Sequence, residues 1–187
     1  MSRYLGPRKK LERRFGLIEG GPVKLRPKKR GNTGYGERLE EKQKAKFIYG
    51  VLEKQFKRYV DQALKSDNQN QELMRQLETR LDNTVHRFGF APTIPAARQL
   101  VSHGFVKLDG NKVDRPSYQV RSGQTLTLDK ARFLSSELKK AERKTEPAEL
   151  PAWLWREENS GKILNLPRIE DMRRDINTVY ILEFYSK

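Results

Sequence analysis

The stretch QLETRLDNTVHRFGFAPTIPAARQLVSHGFVKLDGN, Gln76 to Asn111, decides how this chain is read. Leu73, Leu77, Leu81, Val85 and Phe88 recur at helical spacing and predict a helix over 71–88 that Gly89 ends. Thr93 stands where it would cap a short second helix reaching about His103, with Ile94, Ala97, Leu100 and Val101 inward and Gly104 as the stop. Phe105 to Leu108, then Asp109 and Gly110, then Asn111 to Val113 predict a hairpin, because Asp-Gly tolerates the positive φ angles of a two-residue turn. Arg80, Asn83 and Arg87 recur three and four apart on one stripe, and Arg98 and Ser102 also avoid the apolar positions. The expectation is a compact scaffold carrying a cationic face.

Composition says what such a face is for. The 187 residues carry a net charge of +15, and an excess of that size favours polyanions as partners, either nucleic acid or an anionic membrane surface, of which nucleic acid is expected and no membrane. At 35% hydrophobic and 34% charged, the chain can fill one modest core or two small ones. It has no run near the eighteen or so apolar residues of a spanning helix, and its first residues, MSRYLGPRKKLERRFG, lack the apolar centre of a secretory signal, so a soluble intracellular chain is expected. With no cysteine and only His86 and His103, neither a metal site nor a cofactor is expected.

Outward from the central stretch, residues 1–36 are basic and lack an apolar period. They read either as a solvated tail or targeting segment or, as we favour, as an arm that orders on a phosphate-rich partner through Arg3, Arg8, Lys9, Lys10, Arg13 and Arg14, with rings at Tyr4, Phe15 and Tyr35 for unpaired bases. Ile48, Leu52, Phe56 and Val60 predict one long helix over 37–64, supported by Glu40 to Lys44 and Glu53 to Lys57 pairs, with Lys42, Lys46, Lys54 and Arg58 presented away from its apolar stripe. Gly50 interrupts that basic line, for close approach of either another helix or a phosphate. Ser117–Val120 and Thr125–Leu128 read as strands, Arg132–Lys144 as a helix and 145–151 as a linker. Trp153 and Trp155 either clamp bases or anchor a loop; anchoring is the reading preferred here. Gly161–Pro167 reads as a turn with an apolar stretch, and the terminal TVYILEFY, Thr178–Tyr185, as a strand in need of a neighbour. The fold class expected is α+β.

Four segments taken in order are similar to the small-subunit ribosomal protein S-four family of bacteria and organelles: MSRYLGPRKKLERR, YGERLEEKQKAKFIYGVLEKQFKRY, RLDNTVHRFGF through ARQLVSHGFVKLDG, and DINTVYILEFYSK. The resemblance implies a basic extension over 1–36, a helical domain over 37–78 completed by 145–187, and between them an inserted RNA-binding domain over 79–144, two helices on a small antiparallel sheet. It implies a primary binder of small-subunit rRNA that docks at a helix junction of the five-prime domain, nucleates assembly of the body and influences decoding accuracy. Implied neighbours are ribosomal proteins S-five and, functionally, S-twelve, on a cytoplasmic or organellar ribosome. Between Gly16 and Tyr35 the chain is shorter than typical relatives and lacks the cysteines that bind zinc in some members; Lys28, Lys29 and Arg30 fall near this gap and are the candidates for messenger contact. Where the family usually has a basic residue, this chain has Ile94, so one phosphate contact is expected to be missing.

The chemistry expected is docking without catalysis. Arginine forks grip phosphates while Asn83, Gln99 and Ser102 reach sugars or bases, with His103 and Lys107 beside them. His103 reads equally as a partner of the helix dipole, and Asp82 as a structural mate of Arg80. The alternatives are an RNA-binding or RNA-modifying factor carrying the same module outside the mature ribosome, for which the chain has no room for a separate catalytic domain, and an architectural protein on DNA.

Overall fold

In the computed structural model, residues 8–17, 34–129, 150–157, 159–171, 173 and 175–186 are described. Arg3, Tyr4, Lys28, Lys29, Arg30 and the helix expected over 132–144 lie outside them.

Where the sequence predicts one helix over 37–64 there are two, α2 (Gly34–Ile48) and α3 (Glu53–Ala63). Gly50 divides them. Its φ is +59°, its N–H donates to the Phe47 carbonyl at 3.3 Å and the Val51 N–H to the Lys46 carbonyl at 3.0 Å, the paired bonds by which a left-handed glycine closes a helix. The glycine is thus a helix stop, and the line Lys42, Lys46, Lys54 does not run along one face. The expected i to i+4 pairs give way to contacts between elements. Glu53 takes Lys42 at 3.1 Å and Lys46 at 2.5 Å from α2, and Glu40 faces Arg14 at 3.6 Å.

The helix predicted over 71–88 also divides, into α4 (Gln69–Glu78) and α5 (Leu81–Arg87). Arg80 between them is extended, because the backbone of 116–120 bonds there: Leu81 N–H to the Tyr118 carbonyl and Val120 N–H to the Thr79 carbonyl, both 2.8 Å. A single bridge, Arg80 with Gln119, is all that forms of the strand expected at 117–120. The rest of the central stretch folds as read. Thr93 accepts from the Ala96 N–H at 3.3 Å and starts α6 (Ile94–Ser102), while Asp109 and Gly110, at φ 48° and 80°, join β1 (Val106–Leu108) to β2 (Asn111–Lys112). Ile94 is buried, as an apolar residue at that position would be.

Strands β3 (Thr125–Leu128), β4 (Leu154–Arg156) and β5 (Ser160–Ile163) complete an antiparallel sheet of order β2-β1-β3-β5-β4. The β4–β5 hairpin was expected with the helical part of the chain and instead extends the module's sheet, Leu126 opposite Gly161. Gly161 explains the fit: a Cβ there would lie 2.3 Å from the Phe88 ring, so only glycine lets α5 close on β5. Trp153 is buried in this core, in keeping with an anchoring role, whereas Trp155 is 47% exposed.

Two cores result. One joins α5, α6 and the sheet through Leu81, Val85, Phe88, Leu100, Leu126 and Ile163. The other joins α2, α3 and α4 to α7 (Thr178–Tyr185) through Tyr49, Phe56, Leu73, Leu77 and Ile181. The terminal TVYILEFY is therefore a helix, a correction of the strand expected. Asn177 accepts from the Tyr180 N–H at 3.3 Å to start it, and Ile181 and Leu182 on one side meet α2 and α4, so packing overrides β propensity. Part of the basic arm is likewise already folded: α1 (Arg8–Arg14) ends with Phe15 against Phe47, ring centroids 5.7 Å apart, and Leu17 against the second core. Phe15 is thereby half-buried; Tyr35 meets Phe184 at 5.5 Å yet stays 61% exposed.

Glu53 clasps three helices. Burial alone would raise its carboxyl, but hydrogen bonds from Lys46, Tyr185 and Lys42 outweigh that and hold it at about 2, below the ordinary 4.5. Its stabilising contribution is thus complete above pH 4.5 and lost as pH falls toward 2. Glu53→Gln is expected to flatten the fall of thermal midpoint between those pH values, read from a melting series. Gly161→Ala is expected to cost about 1 to 3 kcal/mol by overpacking against Phe88, read from the urea midpoint.

Candidate nucleic-acid interface

The three arginines expected to form the cationic face turn inward. Asp82, fully buried at the start of α5, accepts five hydrogen bonds: two from Arg80 (3.0 and 2.7 Å), two from Arg98 (3.0 and 2.6 Å) and one from the Asn83 N–H at 2.9 Å. Arg80 also donates to the Tyr59 hydroxyl at 2.8 Å, and Arg98 to the Gly50 carbonyl at 2.6 Å. Glu78, equally buried at the end of α4, accepts from Arg87 at 2.7 and 3.0 Å, from the Asn83 amide at 2.8 Å and from the Tyr49 hydroxyl at 2.6 Å. Burial and the adjacent carboxylate push the Tyr49 hydroxyl well above its ordinary value, so it remains a donor. Burial alone would lower Arg80 and Arg87, but Asp82 and Glu78 respectively raise them.

This arrangement has a structural purpose. Buried charge is tolerated only when paired and hydrogen-bonded, and here the partners come from both cores. Tyr49, Gly50 and Tyr59 belong to the helical part; Asp82, Asn83, Arg87 and Arg98 belong to the module. The network therefore fixes how the two cores meet.

Several candidate contacts are corrected accordingly. Arg80 and Asn83 are 3% and 2% exposed and cannot reach a ligand. Lys42 is buried as well, its ammonium 4.2 Å from the Phe184 ring centre and bonded to Glu53. Arg87 and Arg98 keep a partly exposed edge, while their donors serve Glu78 and Asp82. Lys46 is half-buried on Glu53. Asp82 does pair with Arg80, as expected.

The cations that do face solvent lie farther out. On α1 they are Lys9, Lys10, Arg13 and Arg14, and on α3 Lys54, Lys57 and Arg58. On the module His103 and Ser102 are exposed at the end of α6, with Gln99 half-buried and Lys107 half-exposed beside Asp129 at 3.4 Å. The Ser102 hydroxyl donates back to the Arg98 carbonyl at 2.8 Å. His86 is half-buried, a ring nitrogen 3.0 Å from the Ala91 carbonyl. Lys112, Arg115 and Arg121 are exposed too and were not among the candidates. For Arg115 and Arg121 the signal was their neighbours: Pro116 and the Ser122-Gly123 turn place long cationic side chains on loops, where they remain solvated.

Comparison with known proteins covers both cores. Residues 3–78 match the family described as ribosomal protein S4/S9 N-terminal domain, and residues 79–126 match the S4 domain. The small ribosomal subunit protein uS4 of Aquifex aeolicus is 42% identical over 211 residues, covering 100% of both chains. Those of Persephonella marina and Brevibacillus brevis are each 41% identical, over 204 and 202 residues, again with 100% of both chains covered.

Asp82→Asn is expected to lower unfolding free energy by about 3 to 5 kcal/mol, since it removes the counter-charge of two arginines at once. Arg87→Ala, which a purely surface arginine would tolerate, is expected to lower the chemical-denaturation midpoint by leaving Glu78 underpaired. An unchanged midpoint would show that Glu78 is served by Tyr49 and Asn83 alone.

Proposed function

We propose a role in the ribosome on the ground that the chain belongs to the small ribosomal subunit protein uS4 family. In this reading it is a structural component of the small subunit that binds small-subunit rRNA, docks at a helix junction of the five-prime domain and nucleates assembly of the subunit body. Ribosomal proteins S-five and S-twelve are its neighbours and decoding accuracy depends on it. Its functional units are a basic extension, a helical domain and an inserted RNA-binding module. Lys28, Lys29 and Arg30 are retained as candidates for messenger contact on the resemblance alone.

The observation that carries this reading is the end-to-end match to the uS4 relatives, which extends through the helical part and beyond the module. A factor that merely borrowed the module would match over 79–126 alone. The surface supports the same conclusion: with Arg80, Arg87 and Arg98 engaged inside, exposed cations on α1, α3 and the module's outer loops, among others, are available to neutralise phosphates. Phosphate contacts position the protein, while the folded shape of the RNA and its 2′-hydroxyls supply selectivity.

The purified chain is expected to prefer a five-prime fragment of small-subunit rRNA to duplex DNA of equal length at moderate salt, in a filter-binding titration; equal affinities would contradict the ribosomal reading. Lys54→Gln, on an exposed turn of α3, is expected to reduce the log-log salt slope by about one unit with the thermal midpoint unchanged.

A further inference from the structure

Trp153 and Trp155 are close in sequence and meet opposite fates. Trp153 is buried in the module's core, while Trp155, on β4, is 47% exposed. Its neighbours explain which way it points. Leu154 is buried, and Arg156 reaches back to the Phe88 carbonyl at 2.6 Å and lies 5.0 Å from the Phe90 ring centre, so both face the core side of the sheet. Alternation along a strand then puts Trp155 and Glu157 on the opposite face. The register carries that face across the sheet: Trp155 lies opposite Lys162 on β5, and Lys162 opposite Thr125 on β3. In the next row Glu157 donates its N–H to the Ser160 carbonyl at 2.8 Å, and Ser160 lies opposite Thr127.

The side chains on this face suit a flat ring with polar edges. Among the described residues no ring or cation lies over Trp155, and Lys162 is exposed and forms no ion pair. Around the indole stand an ammonium, hydroxyls and a carboxylate; Leu164, exposed just beyond β5, is the apolar residue that alternation adds. A protein interface has an apolar centre, which a tryptophan and one leucine among polar groups do not provide. A nucleobase fits better. Its faces are apolar and stack on aromatic rings, its edges bond hydroxyls and carboxylates, and its phosphate needs a cation. Glu157, which accepts from the Ser160 hydroxyl at 3.2 Å, repels phosphate from its end, so the sugar–phosphate backbone falls on the Lys162 side. A base inside a duplex has no free face to offer, so the occupant is an unpaired nucleotide.

We propose that the outer face of β4 and β5 binds an unpaired nucleotide of an RNA, its base stacked on Trp155 and its phosphate on Lys162. The inference rests on the rRNA-binding reading above. It adds a contact of another kind, base stacking on a sheet face, apart from the phosphate contacts of α1, α3 and the module's loops.

The test uses the full chain and a five-prime small-subunit rRNA fragment. Acrylamide quenches the exposed indole of Trp155 and not the buried one of Trp153, so wild type is expected to lose most of its acrylamide quenching when the rRNA is bound. Quenching unchanged in the complex overturns the proposal. Trp155→Leu is expected to weaken rRNA binding roughly tenfold with the salt slope unchanged, since stacking releases no counterions, and Trp155→Phe to recover most of that loss. Lys162→Gln is expected to lower the slope by about one unit. Thermal midpoints check that the variants fold; if Trp155→Leu does not, the acrylamide measurement and Lys162→Gln decide. Equal losses in the leucine and phenylalanine variants, or none in either, overturn the stacking site alone when wild type still prefers the rRNA fragment to duplex DNA. Shielding of Trp155 that grows with protein concentration in the absence of RNA assigns the face to a second copy of the chain and likewise overturns the site. Loss of preference in wild type itself overturns the ribosomal reading and this inference with it.

Discussion

Two carboxylates without solvent exposure, Glu78 and Asp82, determine how this molecule is put together. Each sits at the junction where α4 gives way to α5, and each would be prohibitively unfavourable there without several donors. The two networks reach both cores: Tyr49 of the helical part and Arg87 of the module donate to Glu78, while Arg80 and Arg98, which donate to Asp82, also donate to the Tyr59 hydroxyl and the Gly50 carbonyl of the helical part. Apolar surface can slide with little penalty, but a buried ion pair with fixed hydrogen-bond geometry cannot. The two cores are therefore held in one arrangement by charge rather than by apolar contact.

That arrangement decides which cations stay exposed. Charge taken inward to hold the seam is not available to phosphates, so in the proposed role phosphate contacts fall to exposed cations such as those of α1, α3, β2 and residues 115–121. A rigid seam is an advantage for a protein that recognises folded RNA by shape, because contacts on two cores then engage together without a further ordering cost.

Much of the architecture could be read from local signals. Thr93, Gly104 and the Asp109-Gly110 pair act through their own backbone neighbourhoods, so α6 and the β1–β2 hairpin formed as the sequence implied. The face presented by Arg80, Arg87 and Arg98 could not be read that way. Spacing assigns residues to a stripe, yet whether the stripe meets water or a carboxylate depends on what packs there; Glu78 and Asp82, four apart and flanked by leucines, were the available sign. Thr178–Tyr185 failed for a related reason: its β-branched and aromatic residues suit a strand, and only the waiting surface of α2 and α4 makes it a helix. At Gly50 the residue type stands in the sequence while its consequence, a left-handed helix stop, is visible only in the backbone.

The most direct measurement is sedimentation of a lysate from cells producing the chain, with the small-subunit fraction washed in high salt before the protein is detected. Retention in that fraction after the wash is the predicted result, because the exposed cations act together with shape recognition on folded rRNA. Release of the chain to the top of the gradient, with the small subunit otherwise intact, would contradict the account.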